Sequence, residues 1–95
     1  MAFTFRNTGQ FKKDLKLIQK RSNNDFEDIR DFIKNILING SKKIPKNYIP
    51  HKLKGTFKNS WECHVLNDQL IIWKEDLGNN EITLVRTGSH SDLFK

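Results

Sequence analysis

The chain reads as an α+β fold of order β-α-α-β-β-β, an antiparallel sheet with a helical hairpin packed on one face. Three observations predict it. A short segment near the start alternates apolar and polar residues, the two stretches after it repeat apolar residues with a period near that of a helix, and the last third holds three β-rich runs separated by turn residues. Helices that come as a consecutive pair, rather than between successive strands, gather on one face of the sheet. The opposite face is then left for function.

Residues 3 to 7, Phe-Thr-Phe-Arg-Asn, form the first strand, with Phe3 and Phe5 on one side. Thr8 caps a helix running to about Arg21, in which Phe11, Leu15 and Ile18 recur at i, i+4 and i+7 and Lys12, Lys13, Lys16 and Lys20 line the other face. After the polar break Ser22 to Asn24, Asn24 and Glu27 read as a capping box for a second helix, about Asp25 to Asn39. Its stripe is Phe26, Ile29, Ile33, Ile36 and Leu37, and Gly40 is its stop. Asp25, Glu27 and Asp28 suit the positive end of the helix dipole, a structural use of those carboxylates. The meander follows as Ser60 to Leu66, Gln69 to Lys74 and Glu81 to Arg86, joined by an Asn67-Asp68 turn and a Gly78-Asn79-Asn80 corner.

A length of 95 residues bounds the architecture to one domain, residues 1–95, with a modest core and a surface groove in place of a deep cavity. With 36% hydrophobic and 29% charged residues the composition is that of a globular protein. No apolar run is long enough to cross a bilayer, and the first residues carry no basic segment followed by an apolar one, which points to a cytoplasmic protein without a membrane partner. The single cysteine, Cys63, makes no internal disulfide and falls on the core side of its strand, where a buried thiol is inert. The net charge of +6 predisposes the chain to polyanions.

From Gly40 to Trp61 there is no acidic residue, while Lys42, Lys43, Lys46, Lys52, Lys54 and Lys58 all fall there, in a segment that Pro45 and Pro50 keep from continuing the helix. Such a run is either a solvated loop or a surface that binds phosphates by releasing their counterions. His51 lies inside it. His64 alternates away from Trp61 and Val65, over the open sheet face, and His90 follows the last strand in the stretch Arg86-Thr87-Gly88-Ser89-His90-Ser91-Asp92-Leu93-Phe94. The scattered histidines lack the spacing of a metal site, and neither a phosphate-binding Gly loop nor a nucleophilic Ser elbow is present. Imidazoles do suit proton transfer near neutral pH.

Cleavage of RNA fits this set without a cofactor, because the ribose 2′-hydroxyl is an internal nucleophile. It needs a base for the 2′-hydroxyl, an acid for the departing 5′-oxygen and a cation for the charge on phosphorus. Two of His51, His64 and His90 can supply base and acid, with Arg86 or a lysine such as Lys52 or Lys54 as the cation and Lys58 as a further contact to substrate. Asp68 orients an imidazole, contacts the ribose or, as turn aspartates more commonly do, closes its own turn. Phe94 either stacks on a base or pins the C-terminal tail. Parity would put Arg86 on the side of Ile82 and Leu84, although a bulge near Gly88 would re-aim it.

Taken together, the segments Gln10-Phe11-Lys12-Lys13-Asp14, Pro50-His51-Lys52-Leu53-Lys54-Gly55, Trp61-Glu62-Cys63-His64-Val65 with Asp68, and Arg86 to Phe94 resemble the YafQ branch of the RelE/ParE toxin superfamily over nearly the whole chain. The resemblance implies a RelE-like fold and the toxin of a bacterial type II toxin-antitoxin system. It implies a metal-independent, ribosome-dependent endoribonuclease that cuts mRNA in the A site, monomeric alone and hetero-oligomeric with a cognate antitoxin. In that family the positions matching His51, His64, Asp68, His90 and Phe94 form the active site, and Arg86 matches a basic position in the cleft. Gln69 departs from the aromatic that relatives often carry after the aspartate. A related branch of the superfamily acts on a protein, gyrase, so the alternative is a noncatalytic basic module or a toxin with a protein target.

Overall fold

The computed structural model describes residues 2–66 and 68–94. The expected order holds, with one strand and one short helix more than the periodicity reveals: β1 (Thr4–Asn7), α1 (Gly9–Arg21), α2 (Asn23–Asn35), β2 (His51–Lys52), β3 (Trp61–Leu66), β4 (Gln69–Asp76), β5 (Glu81–Ser89) and α3 (His90–Leu93). The strands form one sheet in the order β1-β5-β4-β3-β2. Every pairing is antiparallel except β1 with β5, which is parallel, so the sheet is mixed. The reason is the connection: β1 enters the sheet through a helical pair, and a long crossover, unlike a hairpin, allows parallel pairing.

Thr8 caps α1 as expected, its hydroxyl accepting from the Phe11 N–H at 3.1 Å. The start of α2 differs. Ser22 is both the last residue out of α1 and the cap of α2, accepting from the Asp25 N–H at 3.2 Å, so a single residue makes the break. Glu27 is not part of a capping box and pairs with Arg30 at 2.9 Å one turn on. The regular helix stops at Asn35, and the chain tightens into a 3-10 turn over Leu37–Asn39 before Gly40. Gly40 has φ of 90°, and a Cβ there would lie 2.6 Å from the Phe3 ring, so both backbone and space demand glycine.

Further 3-10 turns over Ser41–Lys43, Lys46–Tyr48 and Gly55–Phe57 fold the lysine-rich segment into a compact path. Between the last two lies β2, which pairs with β3. Glu75 fastens the start of the segment to β4, accepting from the Ser41 N–H at 2.6 Å, the Ser41 hydroxyl at 3.0 Å and the Trp73 indole N–H at 3.1 Å. The β4–β5 corner is closed by Asp76, whose carboxylate accepts from the Asn79 backbone and side chain. Of the expected Asn67-Asp68 turn, Asn67 lies outside the described residues, and Asp68 is exposed in a turn.

The helices cover one face of the sheet. Phe11, Ile18, Ile29, Phe32, Leu37, Ile44, Cys63, Val65, Ile71, Trp73, Ile82 and Leu84 make the main core there. Phe32, absent from the expected stripe, replaces Ile33 and Ile36 as the buried residue beside Ile29, and those two are half-buried. The other face has a smaller apolar patch, Leu70, Ile72 and Leu93, with Leu53, Phe57, Val85 and Phe94 against it.

Candidate functional site

The register of the sheet composes the site. Directly across β2, β3, β4 and β5 lies the row His51, Glu62, Ile72, Arg86, and beside it across β3, β4 and β5 lies His64, Leu70, Gly88. Residues paired across a sheet share a face, and Leu70 and Ile72 mark this as the face away from α1 and α2. Strands stand about 4.8 Å apart, so the backbones of His64 and Gly88 are separated by roughly 10 Å, the scale of one nucleotide. Histidines from separate segments of the chain are thereby brought to one surface.

Arg86 reaches this row through a bulge. Trp73 pairs with Leu84 but Ile72 pairs with Arg86, which leaves Val85 as the extra residue and turns Val85 and Arg86 from the parity of Ile82 and Leu84. The bulge is thus three residues earlier than the Gly88 corner. Arg86 does not extend freely over the sheet. Its Nε and Nη2 donate to the two carboxylate oxygens of Asp14 on α1, at 2.8 and 3.1 Å. This fork holds the guanidinium charge more firmly than usual, the hydrogen bonds to Asp14 outweighing the opposing effect of burial.

The third histidine arrives on α3. Ser89 caps it in a reciprocal box, its hydroxyl accepting from the Asp92 N–H at 3.1 Å while the Asp92 carboxylate accepts from the Ser89 N–H at 3.2 Å. The Ser89 backbone N–H first, and its hydroxyl second, hold the Asp92 carboxyl below its ordinary value. The turn doubles back over Gly88, where a Cβ would lie 3.3 Å from Asp92, and seats Leu93 on Leu70 and Ile72. His90, at its start, remains exposed with its ring 5.0 Å from that of Phe94. Phe94 meets Phe57 edge-on at 5.7 Å, so it anchors the tail while one side faces the imidazole.

His51 is the most constrained of the three. Its Nδ1 is 2.8 Å from the Ile49 carbonyl and its Nε2 is 3.1 Å from Glu62 Oε1. Both neighbours are acceptors, so the two contacts are both hydrogen bonds only when each nitrogen carries a proton or Glu62 carries the shared one. Ile49 adopts a left-handed φ of 53°, rare for a β-branched residue, to aim that carbonyl. Glu62 is buried, and its second oxygen, Oε2, has no hydrogen-bond partner among the described residues. A buried carboxylate oxygen without a partner is an energetic cost carried beside the imidazole.

Glu62 and Asp14 are the two site residues that the sequence reading did not single out. Each left a signal. Asp14 is a lone carboxylate at i+3 from Phe11 on the buried stripe of a basic helix, and Glu62 shares the parity of His64. Conversely, the carboxylate that meets an imidazole is Glu62, while Asp68 sits exposed at the end of the β3–β4 hairpin. Lys52 does not join the cluster: it pairs with Trp61, whose side chain is on the helix-covered face, and its Nζ lies 5.6 Å from that ring. Alternation within the two residues of β2 separates it from His51. Lys54 and Lys58, both exposed, flank the turn that holds Phe57 under Phe94 and so border the cleft. Cys63 is fully buried, and burial first, with the Glu62 charge second, pushes its thiol far up, which removes it as a nucleophile.

Comparison with known proteins matches nearly the whole chain. Residues 3–95 match the family model for YafQ, a bacterial toxin of type II toxin-antitoxin systems. The chain is 36% identical over 87 residues to the mRNA interferase toxin YafQ of Escherichia coli K12, covering 92% of this chain and 90% of that one. The fold superposes on the crystal structure of YafQ from Escherichia coli BL21(DE3) with a TM-score of 0.83 at 31% identity, over 98% of this chain and 99% of the other. It superposes equally on the toxin in a crystal structure of the Escherichia coli DinJ-YafQ complex, with a TM-score of 0.81 at 32% identity and the same coverage. A family match over residues 3–95 and a relative 36% identical over 92% of the chain establish that this chain belongs to the YafQ family of type II toxin-antitoxin toxins.

Proposed function

We propose that this chain is an endoribonuclease that cuts mRNA in the ribosomal A site, working in the cytoplasm as a monomer and silenced in a hetero-oligomer with a cognate antitoxin. The observation that carries the reading is the sheet register that sets His51, His64 and Arg86 on one face, where Leu93 of α3 is seated and His90 stands exposed at the start of that helix. The names of the relatives, an mRNA interferase toxin and a DinJ-YafQ complex, support it from outside.

In this reading one imidazole takes the 2′-hydroxyl proton as the 2′-oxygen bonds to phosphorus. Another gives a proton to the 5′-oxygen as the P–O5′ bond breaks, leaving a 2′,3′-cyclic phosphate and a free 5′-hydroxyl. His90, exposed beside Phe94, and His64, half-buried two strands away, stand on opposite sides of the space for the phosphate. His51, fixed by Ile49 and Glu62, is poised as a cation or proton donor. Arg86 meets the charge that builds on the equatorial oxygens. Lys54 and Lys58 draw in the sugar-phosphate backbone, and Asp68 at the hairpin tip contacts ribose. The side of Phe94 not spent on Phe57 receives a base.

The test is to map 5′ ends of mRNA on ribosomes after induction. Wild type produces discrete cuts in frame with codons, and toxin stripped with EDTA and then freed of the chelator cuts ribosome-bound mRNA at an unchanged rate. His90→Ala, a change at an exposed position, lowers the cleavage rate by about a hundred- to ten-thousand-fold with an unchanged melting curve. Growth arrest with no cuts would make the chain a noncatalytic binder of the ribosome or of another protein.

A further inference from the structure

We infer that Asp14 of α1 is a positioning residue for cleavage, one that sets the direction of the Arg86 guanidinium from outside the cleft. This rests on the reading of Arg86 given above and adds a residue that touches no substrate.

Asp14 is buried on a helix that otherwise carries lysines on its polar side. Each of its oxygens has two donors: Oδ2 accepts from Arg86 Nε at 2.8 Å and the Thr87 N–H at 3.1 Å, Oδ1 from Arg86 Nη2 at 3.1 Å and Gln10 Nε2 at 3.0 Å. The carboxylate is thus locked to the backbone of β5 and to its own helix as well as to the guanidinium. The location explains the need. β1 ends at Asn7 opposite Leu84, so beyond Leu84 the outer edge of β5 has no strand beside it, and the bulge at Val85 loosens the same stretch. Without Asp14, Arg86 would stand on a bulged, uncovered edge with all its rotamers open. The fork occupies one side of the guanidinium and leaves Nη1 and the second Nη2 proton to point elsewhere. Thr87, the next residue, is itself pinned, its hydroxyl donating to the Leu70 carbonyl at 2.8 Å.

The experiment is a double-mutant cycle on single-turnover cleavage of ribosome-bound mRNA, using Asp14→Asn, Arg86→Ala and the pair. Asp14→Asn lowers the maximal rate about tenfold or more with little change in half-saturation, since misplacing a group by an ångström costs up to about a hundredfold. In the pair, Asp14→Asn adds nothing to Arg86→Ala. A folded Asp14→Asn that cleaves at the wild-type rate, or losses that multiply in the pair, overturns the inference while leaving Arg86 in place. A fully active Arg86→Ala refutes the reading on which it rests. Should Asp14→Asn not fold, the wild-type protein answers: the Arg86 Nε–H signal in NMR stays protected from exchange when an RNA oligonucleotide with one 2′-deoxy residue is bound. Loss of that protection on binding overturns the inference equally.

Discussion

The two faces of the sheet are built on opposite principles. Beneath α1 and α2 the side chains interlock around Trp73, which is fully buried, and among the described residues no charged side chain other than Asp14 is buried on that side. Across the sheet the apolar patch is small and serves as a floor on which Glu62, His51, His64, Arg86 and His90 stand. Stability is concentrated on one face, which frees the other to keep a buried carboxylate with an unpaired oxygen and an isoleucine in a left-handed turn. A polar group left unsatisfied costs about 1–3 kcal/mol, which only a well-filled core on the other side can offset.

The largest expected break of this contrast is Trp73→Ala. It removes the biggest side chain of the main core and costs about 3–5 kcal/mol, enough to leave much of a domain this small unfolded at 37 °C. Urea denaturation followed by circular dichroism measures it. The result is the inverse of His90→Ala: stability lost, with the surviving folded fraction still able to cleave. A destabilisation below about 1 kcal/mol would mean that the helix-covered face is not where the stability lies.

Glu62→Gln sharpens the contrast from the other side. The amide keeps the shape but removes the negative charge facing His51, so cleavage slows about tenfold or more, the scale of one charge-assisted hydrogen bond, about 1.5–3 kcal/mol. Relieving a buried charge with an unpaired oxygen leaves the denaturation midpoint unchanged or raised. A variant less stable and fully active would place Glu62 with the structural residues.

The smallest effect is a pH dependence of α3. The Asp92 carboxyl is held below its ordinary 3.8 by the Ser89 backbone N–H and hydroxyl, with Arg21 at 3.3 Å a lesser contributor. Its folded-state value is the depressed one, so its contribution is present in full above the ordinary carboxylate value and fades as pH falls below it. The side chain is half-buried and its partner Arg21 exposed, so solvent screening keeps the effect modest. Acid titration should loosen α3 before the rest of the fold, seen as loss of dispersion in the His90 and Phe94 NMR signals ahead of those of Trp73.

Much of this was legible in the sequence because periodicity reports what a long element buries. Thr8 before Phe11, Leu15 and Ile18, and the parity of Trp61, Cys63 and Val65 against His64, carried through, whereas Gly40 closes a 3-10 turn and not α2 itself. The failures share a different origin. β2 is too short to show a period, and a two-residue strand decides which of His51 and Lys52 faces the cleft. The bulge at Val85 depends on how β4 and β5 meet, not on either alone. Ser22 displaced the Asn24–Glu27 box because a hydroxyl one turn earlier was already in reach of the Asp25 N–H. Asp14 and Glu62 acquire their meaning from partners 72 and 11 positions away, which no local pattern encodes.

The parallel pairing of β1 with β5 bears on the order of assembly. Thr4 meets Glu81 and Asn7 meets Leu84, so the first strand to be synthesised waits for the last before it has a neighbour. Joining chain ends this remote is entropically slow. Helical pair and meander can form early, yet the seam between them closes only once β5 is in place. Because Arg86 and His90 belong to that final piece, the face that carries them is the last part of the sheet to be filled.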